Sequence, residues 1–471
     1  MFAFTRDLRL SDHAGLAAAA RYGDVVPVLV IDPASSARLR RSPRRAAHYC
    51  NAVRALDDAL RRGGSSLIVR RGKPGPVLRG LARAAGAAAV GWSCGYDAKT
   101  MRGDRELQSA LEEAGLKALP VHDLPVVPPE DASPAHRGGD GYRAFVPYYA
   151  RWRTLVPAPD AGSAEFVRHE IVSEGLPEAK EFGPAIASAE PAGEAHARAR
   201  LTRFLALAVL HYGAARNVPA TCETSRLSAA LSFGELAARE VVRATCERVA
   251  DPFLLTEERT SIKLFLRALA QRDFFLQLGW YNESLAEEPL QAKMRSFEFA
   301  RSHPQLDAWR AGRTGFPLVD AGMRELIATG WMHPRVRAIA ASFLCFDLGV
   351  DWRVGRDAWD RLLIEDDPVL AAGNWQWVAG VGADLAAYPR IYNPLKQARR
   401  FDPSAEYIRT WVPELAGLPD VAILDPVEVR RERQLTLELF GDGSYPAPVL
   451  DHEAAARAFL ARYAREVRAP A

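Results

Sequence analysis

The first 123 residues repeat one pattern: a short apolar run followed by an amphipathic stretch. MFAFT precedes Ala14 to Tyr22, VVPVLVI precedes Arg44 to Arg62, SSLIVR precedes Val77 to Ala85, AAAVGW precedes Arg102 to Glu113, and LKALPVH closes the series. Apolar runs without polar alternation suit strands buried on both faces, with helices supplying the crossovers. The pattern predicts an α/β domain, a doubly wound parallel sheet of Rossmann-like type. Such sheets take ligands at the C-terminal ends of their strands, near the switch in strand order. No GxGxxG or P-loop follows the first run, which disfavours a dinucleotide-dependent dehydrogenase.

From Leu124 to Ala197 the composition changes. Prolines, glycines and acids accumulate in VVPPEDASPAHRGGDG, VPAPDAGSAE and GPAIASAEPAGEA, the mark of a long connector with little regular structure. GYRAFVPYYARW, inside it, carries more aromatic rings than a linker needs and is expected to pack as an anchor. From Arg198 onward apolar residues recur at spacings of three and four, interrupted by Gly, Pro or Asp, which predicts an all-α domain. The expected division is therefore 1–123 α/β, 124–197 connector and 198–471 helical.

A chain of 471 residues, 48% apolar, has enough material for two cores. No apolar run approaches the roughly 18 to 20 residues of a spanning helix, and MFAFTRDLR lacks the pattern of a secretory signal, so the cytoplasm is the expected compartment, with no membrane partner. The five cysteines stand singly, without the spacing of a zinc site or a disulfide framework, and no metal site is expected. Net charge is only +3. The arginine excess between Arg38 and Arg71, with smaller clusters at Arg399, Arg400 and at Arg430, Arg431, Arg433, is expected to form solvated faces.

The stretch from Ala308 to Leu415 holds seven of the ten tryptophans, interleaved with arginines, acids and glycines where a plain helical core would carry aliphatics. Its segments GRTGFPLVDAGMREL, GWMHPRVR, ASFL, DWRVG, GNWQWVAG, IYNP and FDPSAEYIRTWVPEL resemble, in that order, segments of the photolyase and cryptochrome flavoproteins. The resemblance is strongest to bacterial cyclobutane pyrimidine dimer photolyases. It extends upstream through YGAARNVPATCETSRLSAALSFGEL to the opening FTRDLRLSDHAGL, nearly the whole chain. The lone cysteines argue against the family's iron–sulfur branch, which needs four ligands.

The resemblance implies FAD in the helical domain and an antenna chromophore in the α/β domain, leaving open whether that is a folate or a deazaflavin. Hydroxyls and backbone N–H groups at a helix start suit a phosphate. The TSRLS element, Thr224, Ser225, Leu227 and Ser228, with Tyr212 and Arg216 upstream, thus takes the place of the family's pyrophosphate site. Arg337 and Glu365 stand where an arginine and an acid pair beside the isoalloxazine ring, and Asp367 where a second acid reaches the flavin or its ribityl side. Arg272 is also retained. Trp375 and Trp352 match the inner two members of the family's electron-carrying tryptophan chain. The outer member falls on Phe299, a poorer donor, so either the chain is shortened or Trp309 or Trp359 completes it.

Around the substrate pocket the sequence departs from the family. Ala371 replaces the usual Asn facing flavin N5, Gln271 and Ala268 replace the Trp and Glu that hold the dimer, and Pro334, Ala338 and Phe265 replace an Asn, a Met and a Trp. His333, Arg335 and Trp377 remain. The first expectation is a photolyase-like carbon–carbon lyase using blue light to drive electron transfer from FAD into dimers in damaged DNA. Trp377 would stack on the lesion, and Arg335 and Arg272 would contact lesion or phosphates. The alternatives are a cryptochrome-like photoreceptor without repair activity and a flavoenzyme retuned to a small-molecule substrate. The expected assembly is a monomer.

Overall fold

The structure, a computed structural model, describes residues 1–133, 141–156, 159–162, 164–186, 191–221, 223–383, 388–425 and 445–468. Cys222 and the Arg430, Arg431 and Arg433 cluster lie outside these residues. The elements of the first part are β1 (Phe2–Phe4), α1 (Ala14–Ala20), β2 (Pro27–Ile31), α2 (Pro33–Leu39), α3 (Pro43–Arg62), β3 (Ile68–Arg71), α4 (Pro74–Ala85), β4 (Ala89–Ser93), α5 (Ala98–Glu112) and β5 (Lys117–Val121). Next come α6 (Pro129–Ala132), α7 (Phe145–Trp152), α8 (Glu194–Arg203), α9 (Val209–Ala215), α10 (Ser228–Ser232), α11 (Ala238–Val249) and α12 (Thr256–Tyr281). The remainder is α13 (Leu306–Arg310), α14 (Pro317–Thr329), α15 (Pro334–Ser342), α16 (Trp352–Asp360), α17 (Pro368–Val378), α18 (Pro394–Phe401), α19 (Glu406–Trp411), α20 (Asp420–Ile423) and α21 (His452–Tyr463). None of the described helices is long and apolar enough to cross a membrane.

The five strands form one parallel sheet in the order β3-β2-β1-β4-β5, the doubly wound arrangement the apolar runs predict. Alternate side chains serve two cores. Phe2 and Phe4 pack with Leu16, Tyr49 and Val53 on one face, while Met1, Ala3 and Val28 pack with Leu78, Leu81 and Leu111 on the other. Each of the larger aliphatic and phenyl side chains contributes roughly 1.5–3 kcal/mol by leaving water, so neither face is dispensable. Helix α2 is the element that the apolar pattern misses. PASSARL has no helical stripe, but Asp32 caps it, accepting from the N–H groups of Ala34 and Ser35, and Pro33 pre-sets its first turn.

The chain divides into two compact units with interleaved segments. The first comprises Met1–Gly213, Ser225–Ala286 and Ile364–Leu370; the second comprises Ala214–Thr224, Glu287–Leu363 and Ala371–Ala471. Within the first, α7 buries Tyr148 and Trp152, as expected of an anchor. Trp152 Nε1 donates to Asp273 on α12 at 2.9 Å, and the same carboxylate accepts from the N–H groups of Val126 and Val127. Gly234, at φ +64°, lets the SFGEL turn press on the exit of β1. A Cβ there would stand 2.2 Å from the Arg6 carbonyl oxygen.

The loop after β1 is a buried ion network. Arg9, almost inaccessible, donates to Asp123 at 2.7 Å, and Arg239 of α11 reaches the other oxygen of that carboxylate at 3.0 Å. Burial alone would raise the Asp123 pKa, but Arg9, His13 and Arg239 outweigh it and hold the carboxyl below its ordinary range. In the second unit, α14 packs on α15, α18 and α19. Its buried Asp320 accepts from the N–H groups of Thr314 and Gly315 and from the Tyr445 hydroxyl, fixing the GRTGFP turn.

Candidate functional site

In the first unit the turn from Ser225 to Ser228, within the TSRLS element, has the geometry of an anion cradle. Arg226 adopts φ +49° and Leu227 φ −88°. Successive residues of opposite φ turn their N–H groups to one side, the arrangement that lines anion-binding concavities. Helix α10 begins there without a side-chain cap. Arg200 donates to the Arg226 carbonyl at 3.0 Å and supports the turn. Exposed Ser228 points its hydroxyl at Glu365 Oε2, 3.5 Å away.

Around this turn the acid loop 365–367 is tied down. The Asp366 N–H donates to Ser232 Oγ at 2.7 Å. Arg6, leaving β1, donates Nε to the Ser232 carbonyl at 3.0 Å and pairs through Nη2 with Asp367 Oδ2 at 3.1 Å. The other Asp367 oxygen accepts from the Leu370 N–H at 3.2 Å and so caps α17. Arg272, on α12, donates to the carbonyls of Leu124 and Leu231 at 2.8 and 3.4 Å. Tyr212 packs edge-on against Phe265, centroids 5.4 Å apart, so Phe265 is core packing for the tyrosine. Ala268 and Gln271 are half-buried on α12.

The second unit contains Arg216, Thr224, His333, Arg335, Arg337, Ala371 and the predicted tryptophans. His333 caps α15, its Nδ1 accepting from the Arg335 N–H at 3.2 Å, while its own N–H donates to Glu325, which Tyr407 also holds. Arg335 donates twice to Asn217 Oδ1 and lies 4.8 Å from the centroid of Phe401. Among the described residues no carboxylate lies within ion-pair distance of it. Burial, with Arg216 and Arg400 nearby, lowers its pKa even though Tyr392 opposes the shift. A guanidinium beside two others and without an acid is suited to an anion. Arg337 Nε donates to the Met332 carbonyl at 2.8 Å. Trp377, half-buried, has Arg390 5.8 Å from its ring and shares a pocket with Tyr388, Pro389 and Tyr392.

Three indoles of this unit make a ring-to-ring path. Trp375 and Trp359 have centroids 4.5 Å apart, and Trp359 stacks on Trp309 at 6.1 Å and 15°. Trp359 Nε1 faces Met323 Sδ at 3.4 Å, and Trp309 Nε1 donates to the Ala340 carbonyl at 3.0 Å. Trp352 is buried on the same helix as Trp359, but its near neighbours of this kind are the guanidinium groups of Arg353 and Arg356, at 5.5 and 5.3 Å. Among the described residues, the ring in contact with Trp375 is Trp359, a residue the sequence offers only as an alternative outer member. Phe299 packs instead with Phe297 and Phe459.

Asp7, His13 and Asp123 bring ligand atoms within 4.8 Å of one another. Arg9 and Arg239 already neutralise Asp123, and His13 Nδ1 accepts the Leu16 N–H, so the cluster is an ion-pair core rather than a metal centre. The sequence reading also missed Arg6, Ser232 and Asp366. It expected the Arg38 to Arg71 arginines to be solvated, yet Arg45 is 1% exposed and Arg38 lies on Asp366, because a distant acid loop folds over them. The available signal was the charge complement between IEDD and RLRRSPRR.

The chain thus combines a parallel α/β layer, a turn suited to phosphate and, in the second unit, a row of buried indoles. Residues 2–163 match the family model for DNA photolyase, and residues 265–465 match that for the FAD binding domain of DNA photolyase. The chain is 34% identical over 470 residues to a deoxyribodipyrimidine photo-lyase of Halobacterium salinarum, covering 96% of each chain. Among solved structures it is similar to a class III photolyase of Agrobacterium tumefaciens, with 30% identity, TM-score 0.87, and 99% and 97% of the two chains covered. It is also similar to a cryptochrome of Synechocystis, with 26% identity, TM-score 0.87, and 99% and 98% covered. The chain belongs to the photolyase/cryptochrome family.

Proposed function

We infer that this chain is an FAD-dependent deoxyribodipyrimidine photolyase, a carbon–carbon lyase driven by blue light and acting on cyclobutane pyrimidine dimers in DNA. The observation that carries this is the end-to-end match with an enzyme of that name at 34% identity. Bound FAD supplies the light-driven electron that opens the cyclobutane ring. The residues present fit it. The alternating φ at Arg226 and Leu227, with the hydroxyls of Ser225 and Ser228, is suited to the diphosphate; Tyr212, Arg216 and Thr224 are assigned to it by their places in the family motif. Glu365, Asp367, Arg337, Arg272 and Ala371 are assigned to the ring and ribityl side.

Trp375, Trp359 and Trp309 are assigned the supply of electrons toward the cofactor, with Trp352 as a second arm. The Nε1–H groups of Trp359 and Trp309 are turned onto a thioether and a backbone carbonyl. Trp377 is assigned to stack on an extruded base and Arg335 to hold an adjacent phosphate. A reading without repair, as a photoreceptor or a small-substrate enzyme, is favoured by one feature: Ala268 and Gln271 offer neither a carboxylate nor a ring at half-buried positions on α12.

The test is to illuminate a dimer-bearing single-stranded oligonucleotide with the FAD-loaded protein and count dimers against a dark control. Light-dependent loss of dimers is expected. Protein that retains FAD but removes none under light supports the reading without repair.

A further inference from the structure

We propose that Arg38 and Arg45 are positioning residues for the flavin: by neutralising and holding Asp366 they fix the backbone of residues 365–367 and aim the carboxylates on either side of it. The proposal rests on the assignment of Glu365 and Asp367 to the cofactor. The acid run Glu365, Asp366, Asp367 places three like charges on successive residues, an arrangement that favours splaying. The middle one is held by two arginines. Arg38, at the end of α2, forms a fork on it: Nε lies 3.0 Å from Asp366 Oδ2, and Nη2 donates to Oδ1. Arg45, buried in α3, lies 3.7 Å from the same Oδ1 and donates at 3.1 Å to the Glu365 carbonyl. A further hydrogen bond, Nη1 to the Arg38 carbonyl at 3.3 Å, ties the two arginines to each other.

Burial would push the Asp366 carboxyl up, but Arg38 and Arg45 outweigh it and hold it well below the usual range, so it stays ionised. Two consequences follow. The loop is held at a backbone carbonyl, a side chain and, through Ser232, an N–H, so the carboxylates of Glu365 and Asp367 start from fixed Cα positions. The Asp366 charge is cancelled locally, so the field at the cofactor is set by its neighbours and by Arg6 on Asp367. A bare Asp366 would add negative charge beside the ring and disfavour the reduced, more negative flavin. A bare Arg38 would do the reverse.

The test uses the FAD-loaded protein and three variants, with FAD dissociation constants and the two-electron flavin potential measured for each. Arg38→Gln is expected to lower the affinity for reduced relative to oxidised FAD about tenfold, a potential lower by about 30 mV. Asp366→Asn is expected to shift it in the opposite direction, and Arg38→Lys to restore most of the native value. The neutral pair Arg38→Gln with Asp366→Asn should return close to native, and it leaves no uncompensated buried charge if a single variant fails to fold. Shifts of the same sign in both single variants, or no shift while FAD is retained, overturn the proposal. Glu365→Gln and Asp367→Asn separate the two levels. If these also leave the potential and the FAD affinity unchanged, the assignment of the acids to the flavin has failed rather than the role of the arginines.

Discussion

Gly355 decides where the Trp375 ring lies, and Gly355→Ala is the sharpest probe of that placement. A Cβ at this position would lie 2.3 Å from Trp375 Cη2, 2.7 Å from Trp375 Cζ3 and 2.3 Å from Leu344 Cδ2. Carbon atoms pack at about 3.5–4.0 Å, so the indole or the leucine must retreat by about 1 Å or more. Two terms compete. Alanine gains about 1 kcal/mol over glycine within a helix, whereas forcing an extra methyl into a packed core costs roughly 1–3 kcal/mol. The expected net is a destabilisation of up to about 2 kcal/mol. Denaturant melts of the FAD-loaded protein measure it, and blue-light reduction of the oxidised flavin with an external thiol reads the displaced ring as a slower rate. Adding Trp375→Phe should recover the stability without recovering the rate. A Gly355→Ala protein that is more stable than native and photoreduces normally would show that the indole does not lie over α16, and the electron path drawn through Trp359 would go with it.

Trp359→Phe should slow flavin photoreduction more than Trp352→Phe does; the reverse order under steady illumination would restore Trp352 as the main link. Ala268→Glu with Gln271→Trp, three residues apart on one face of α12, should tighten binding of dimer-bearing DNA. One regained stack of about 1–3 kcal/mol corresponds to about 5- to 150-fold, and unchanged affinity in a titration would mean that the cavity is shaped for another ligand. Burial raises Asp273 to about 6, against the Arg272 charge and the hydrogen bonds it accepts from Trp152, Val127 and Val126. Its folded pKa therefore exceeds the unfolded one, and its contribution to stability is present at low pH and is lost as pH rises from about 4 through about 6. Denaturant melts across that window should show a slope that Asp273→Asn removes; an unchanged slope in the variant would assign it to another group.

The legibility of this chain follows the range of each interaction. The sheet was legible because unbroken apolar runs need burial on both faces, and Phe2 and Phe4 facing one core while Ala3 faces the other is the outcome. Helix α2 was missed because its determinants are one cap and one proline rather than a stripe. The acid loop shows the limit more clearly, since Arg38 and Asp366 are 328 residues apart and nothing local pairs them. The tryptophans are the most instructive case. Trp352 and Trp359 are two turns apart on one face of α16, with Gly355 between them, so periodicity gives both an equal claim on Trp375. What breaks the tie is the tilt of a single indole across a missing Cβ, a property of side-chain packing on both helices at once. The resemblance selects Trp352 by position, while the geometry puts Trp359 in ring contact. Electron transfer between indoles favours rings in contact, so the position inherited from a motif and the ring best placed to donate need not coincide.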